Sequence, residues 1–178
     1  VSQKGQLGNP DSTVALESIA AASMLSEYAS SIEGLSTGDG DRFTQAFWES
    51  TETGRNDWVP FVGSAECVTP YGGMSYVLRW EKGQGALSEF EGARIQGHSA
   101  WRKRGVLVGQ MRALPRCLYL GAIHEKITAA IIPRREADLS AVWAYCADPA
   151  YEAAIRKVNQ KLSVATATLV KVPFDLAH

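Results

Sequence analysis

Residues 139–162 read LSAVWAYCADPAYEAAIRKVNQKL, and this stretch carries the strongest periodicity in the chain. Leu139, Val142, Trp143 and Cys146, then Ala150, Ala154, Ile155, Val158 and Leu162, follow at steps of three and four, the period of a buried helical face. Pro149 divides the run. Asp148 suits an N-cap and Pro149 a first helical turn, so the spacing predicts two helices, over about 137–147 and 149–161. The opposite face of the second carries Arg156, Lys157, Gln160 and Lys161. Upstream, strand-like runs dominate: EYASSIEG, RFTQAFWES, MSYVLRWEKG with Tyr76, Leu78 and Trp80 on one face, RGVLVGQM, CLYLGAI and ITAAIIP. Residues 54–73 are broken by glycine and proline and read mainly as loop, and the tail TATLVKVPFDL reads as a short helical or extended closing piece. Near the start, Asp11-Ser12-Thr13 caps a predicted helix over residues 14–25. Strands in runs with helices segregated at the ends give an α+β expectation: a single domain, mainly antiparallel or mixed sheet with C-terminal helices.

Composition narrows the function classes. The opening VSQKGQLGNPDST has no apolar run, so it reads as neither a secretion signal nor a transit peptide but as part of something longer. No stretch approaches the roughly 18 apolar residues of a membrane helix, and a cytoplasmic protein with no membrane partner is expected. Cys67, Cys117 and Cys146 are an odd number without a C-x-x-C pair, which suits buried thiols in a reducing compartment. His98, His124 and His178 lack the spacing of metal ligands, so no metal is expected. Eighteen Lys and Arg against nineteen Asp and Glu leave a net charge of −1, so nucleic-acid binding has to come from local clustering.

Four stretches offer chemistry. Asp148-Pro149-Ala150-Tyr151 is close to the (Asn/Asp/Ser)-Pro-Pro-Tyr motif of amino-methyltransferases, but the second proline is missing and AVWAYCA has helical spacing. No glycine-rich turn upstream could hold S-adenosylmethionine, so a helix cap is the reading. GLSTGDGDRF at 34–43 has no P-loop lysine and no EF-hand ligand series. It reads either as an anion grip, with Ser36, Thr37, the Gly38 N–H and Arg42 as donors, or as a solvated hairpin turn. SAWRKRG at 99–105 sets Arg102, Lys103 and Arg104 beside Trp101: phosphate contacts with an aromatic on a sugar or base, or a solvated charged face. Gln110 and Arg112 share one face if the strand continues through them, and these residue types read adenine and guanine edges.

Taken in order, GLSTGDGDRF, FWE, WVPFVG, YVLRWEKG, WRKRGVLVGQMRALP, LPRCLYLGAI and NQKLSVATATLVKVPF resemble one region of a known family, over about residues 15–176. The family is the large bacterial adenine-specific DNA methyltransferases of type IIG restriction-modification and phage-exclusion (BREX-like) systems, and the region is the target-recognition domain after the catalytic domain. The resemblance implies a 1–14 linker from a missing catalytic domain and a DNA target-recognition domain over 15–178. It implies double-stranded DNA and the methyltransferase catalytic domain of the same parent chain as partners. Catalysis and S-adenosylmethionine would belong to the parent enzyme, with no cofactor in this piece. Ser36, Thr37, Arg42, Arg102, Lys103, Arg104 and Lys161 are then phosphate donors, and Gln110 and Arg112 candidates for base edges. The alternative is a protein-docking or structural domain of the same type of polypeptide, which near-zero net charge favours. DNA binding requires the cations of 102–104 and 156–161 on one concave face with Arg42; scattered cations favour docking.

Overall fold

The computed structural model describes residues 23–49 and 57–176. The predicted cap at 11–13, residues 14–22 of the first predicted helix and His178 therefore lie outside the described residues. Residues 105–109 and 128–133 explain the architecture. Both are short runs, apolar at nearly every position, which suits strands covered on both faces. They form β5 (Gly105–Gly109) and β8 (Thr128–Pro133), the two inner strands of an antiparallel sheet. β1 (Ala29–Glu33) and β6 (Arg116–Tyr119) flank them in the order β1-β8-β5-β6. Alternate residues go to opposite sides: Val106, Val108, Ala129 and Ile131 face one cluster, Leu107, Ala130 and Ile132 another.

On the first side lie the two C-terminal helices, α4 (Leu139–Ala147) and α5 (Pro149–Val158), with a 3-10 turn at Thr166–Val170. (The short helical turns α1 Leu25–Tyr28, α2 Gly40–Phe43 and α3 Ala86–Glu89 precede them.) Asp148 caps α5 by accepting from the Ala150 N–H at 2.7 Å, as its position before Pro149 predicts. The buried stripe differs in detail. Tyr145 and Tyr151 join Val142, Cys146 and Ile155 inside, whereas Leu162, beyond the end of α5, is exposed. Tyr151 is apolar enough for the core because its hydroxyl donates to Leu169 O at 2.8 Å.

On the second side, Val62 and Ala65 pack on the sheet and bring in a second one, ordered β2-β4-β3-β7. Its strands are β2 (Thr44–Ala46), β3 (Trp58–Val62), β4 (Tyr76–Arg79) and β7 (Ile123–His124). The expectation that 54–73 is mainly loop holds for 63–73, which carries no helix or strand, but 58–62 form β3, an inner strand. Pro60 stands opposite Val77 on β4 and lies outside the Phe61–Val62 pairing with β7. On β4 the buried pair is Val77 and Leu78; Leu78 and Trp80 join one cluster, as their predicted shared face requires, while Tyr76 is half exposed. The β2 edge is closed locally, with the Ala46 N–H donating to the Glu49 carboxylate. The molecule is thus a single α+β domain of two mostly antiparallel sheets with C-terminal helices, the class its sequence predicts.

The sheets meet at residues 123–126. His124 is fully buried, its Nε2 3.2 Å from Ile32 O on β1 while its own strand pairs with β3. Burial lowers the imidazole pKa from its ordinary 6.5, with the Ile32 bond acting more weakly in the opposite sense. The unfolded chain then binds a proton more readily, so stability present above about pH 6.5 is lost as pH falls through the lowered value. The neighbouring Glu125 carboxyl is raised by burial and acts oppositely, favouring the fold as pH falls. Thermal melts of wild type and His124→Phe between pH 7 and 5 separate the two. The wild-type melting temperature should fall more steeply than the variant's, and parallel curves would remove His124 from the acid response.

Candidate nucleic-acid interface

The GLSTGDGDRF loop is held by protein on both sides. Leu35 is buried, its N–H donating to His124 O at 2.8 Å and its carbonyl accepting from the Lys126 N–H at 2.8 Å. A Cβ on Gly34 would stand 2.3 Å from Glu125 O, so only glycine admits this approach. Ser36 exchanges both backbone hydrogen bonds with Arg94. Gly38 has φ +72°, and a Cβ there would lie 2.3 Å from Gly92 O. Asp39 then caps α2 by accepting from the Arg42 N–H at 3.2 Å. The Arg42 guanidinium lies 4.9 Å from the Phe43 ring centre and 5.3 Å from that of Phe90, leaving the residue exposed. Both glycines that mattered in the sequence therefore serve packing, and no hairpin forms. Ser36, Thr37 and Arg42 sit on its outer surface.

Residues 101–104 form a turn ahead of β5. Trp101 does not present its ring as a platform for a base. It packs edge-on against Trp80 at 5.4 Å, 4.2 Å from His98, with its Nε1 buried. The Arg102 N–H donates to Gly121 O at 2.8 Å and the Lys103 N–H to Ala100 O at 3.1 Å, which fixes the turn while all three cationic side chains stay exposed. Extending the Val106↔Ile131 register back along the antiparallel pair brings Arg104 beside Pro133, and hence the turn beside Arg134 and Arg135. The Arg104–Glu136 ion pair at 3.7 Å follows from that proximity, and both partners are too exposed for it to add much stability. Arg134 donates to Ser26 O at 3.1 Å, and Arg135 holds Asp138 through two bonds of 2.9 and 2.8 Å. The result is a ridge of five cations from two loops, opposed by two carboxylates. Arg134 and Arg135 were invisible as partners in sequence because only strand register joins them to 102–104.

Gln110 and Arg112 lie at the other end of β5, roughly 17 Å away for a five-residue strand. The expectation that they share a strand face is corrected: β5 ends at Gly109, and Arg112 has φ +55°. Gln110 is buried, with its Nε2 donating to Val164 O at 3.2 Å and Thr166 Oγ1 at 2.7 Å, so its donors are not available to a base. Arg156 donates to the carbonyls of Arg112 and Lys161, fastening α5 to this end. The cations of 102–104 and 156–161 therefore occupy opposite ends of the sheet, so the expected single concave face is corrected, and by the same criterion this scatter favours the docking alternative. Among the described residues no group of His, Cys, Asp and Glu could hold a metal ion, and no helix is long and apolar enough to cross a membrane.

No protein-family model matches the chain, and no curated protein matches it in sequence.

The loop's packing role has a direct test. Gly34→Ala should cost about 2–4 kcal/mol, since backbone must move to admit the methyl group. Gly40→Ala, in the same loop but with its nearest neighbour 3.9 Å away, should leave the melting temperature within a degree or two of wild type. Equal melting temperatures for the two variants would show that the loop does not hold the seam.

Proposed function

We propose that this domain binds duplex DNA through the ridge of Arg102, Lys103, Arg104, Arg134 and Arg135, as the target-recognition domain of an adenine-specific DNA methyltransferase. The observation that carries the reading is the gathering of these cations from two loops at one end of the sheet, with Arg102 and Lys103 exposed on a turn whose backbone is fixed by hydrogen bonds; the separation of 102–104 from 156–161 favours instead the alternative, a protein-docking domain. Such a ridge suits phosphate contacts, which position a protein on DNA without reading sequence. The assignment to a methyltransferase rests on the resemblance of the chain's motifs to that family. In this reading, methyl transfer and S-adenosylmethionine belong to the catalytic domain of the parent chain, which receives the flipped adenine. Ser36, Thr37 and Arg42 contribute secondary contacts. Base readout by Gln110 is disfavoured because its donors are already occupied.

Anisotropy titrations of a labelled duplex over a salt series test the proposal. Replacing Arg102, Lys103 and Arg104 by alanine should flatten the plot of log affinity against log salt by about 0.9 for each phosphate that is no longer neutralised. Adding Arg134→Ala should flatten it further, and Arg112→Ala with Lys161→Ala should leave the slope unchanged. Absence of wild-type binding, or a slope altered only by the Arg112 and Lys161 pair, would defeat the reading.

A further inference from the structure

The far end of the first sheet carries a second surface of different chemistry. The Gln110 N–H donates to Ile127 O at 3.0 Å, the Arg112 N–H to Leu162 O at 3.1 Å, and the Val164 N–H to Gln110 O at 2.8 Å. These bonds set three chain segments side by side around a cleft of about 420 Å³. Met111, Ile127 and Leu162 stand on those segments with 44%, 46% and 63% of their surface exposed, far more than buried packing would leave. Arg112, Lys126 and Lys161 beside them are exposed cations. Within the cleft, both Gln110 amide hydrogens are taken by Val164 and Thr166, so the carboxamide oxygen is fixed as a hydrogen-bond acceptor.

We infer that this cleft and its rim dock an acidic, apolar segment of another polypeptide. Apolar side chains of the segment cover Met111, Ile127 and Leu162; its carboxylates pair with Lys126, Arg112 and Lys161; and a backbone N–H donates to Gln110. Charge decides among the possible occupants. A second copy related by two-fold symmetry would bring the three cations against their own equivalents, at a repulsive cost. Nucleic acid fits less well, because the three apolar side chains would gain nothing from a sugar-phosphate backbone, whereas Glu33 in the cleft repels phosphate and carboxylate alike and does not discriminate. A segment combining carboxylates with Leu, Ile, Phe or Met satisfies both the cationic and the apolar features. This surface lies at the opposite end of β5 from the cationic ridge, so the inference stands whether or not the ridge binds DNA.

A randomised-peptide display library selected on the whole chain tests it. Enriched peptides should combine acidic with large apolar residues, and amide shift changes on binding should centre on 110–112, 126–127 and 161–166. Lys126→Glu and Leu162→Asp, both at exposed side chains, should each weaken the selected peptide roughly tenfold or more without altering the melting temperature. Alanine replacement of Arg102, Lys103 and Arg104 should leave it unchanged. Failure to enrich any peptide, enrichment of peptides lacking acidic residues, or affinity indifferent to both variants would overturn the inference. Displacement of the peptide by duplex DNA that shifts the same amides would reassign the cleft to nucleic acid.

Discussion

The hydrogen bonds that hold Leu35 between the carbonyl of His124 and the amide of Lys126 are the constraint on which the two-sheet arrangement depends. Neither sheet reaches the other through continuous strand pairing. The connection is made by the 123–126 segment, which pairs with β3 as β7, sends the Glu125 N–H to Val62 O, and turns directly into β8 of the first sheet. Leu35 closes this segment from the side of β1, and His124 ties it to Ile32. Three segments distant in sequence thus share a few residues. Backbone groups in this seam are paired with one another, while the buried His124 Nδ1 has no hydrogen-bond partner.

That seam sets a steric limit as well as a hydrogen-bonding one. Gly34 lets the chain leave β1 against the Glu125 backbone, and Gly38 lets it pass Gly92 before α2 begins. The glycine-rich composition of 34–43 invites a ligand-binding reading because close backbone approach serves anions and backbones equally well. Here the approaching atoms are carbonyl oxygens of the same chain. Carbonyl oxygens and phosphates impose the same demand for a missing Cβ, so composition by itself does not tell them apart.

What was legible follows from how local the determining physics is. Asp148-Pro149 marks a helix start within two residues, and the apolar periodicity of 139–155 needs only the chain around it, so α4 and α5 were readable. The apolar runs of β5 and β8 were readable for the same reason. β3 was not, because a proline argues locally against an inner strand, and the pairing of β3 with β4 and β7 is a tertiary fact. Gln110 and Arg112 failed as a same-face pair because the strand stops one residue before them, and Trp101 failed as a platform because Trp80 and His98 occupy its surroundings. The ridge was half legible: Arg102, Lys103 and Arg104 are adjacent in sequence, but Arg134 and Arg135 join them only through the β5–β8 register.

The same register explains how a chain with a net charge of −1 can present two cationic surfaces. β5 is buried at every position, so it carries no charge itself and separates the charged segments at its two ends. The end before β5 gathers cations on loops whose backbones are fixed, near the exposed Leu120. The end after β5 gathers cations around Met111, Ile127 and Leu162, where a partner would gain by covering apolar area as well as by pairing charge. Near-neutral composition therefore conceals two local clusters of cations about one strand length apart.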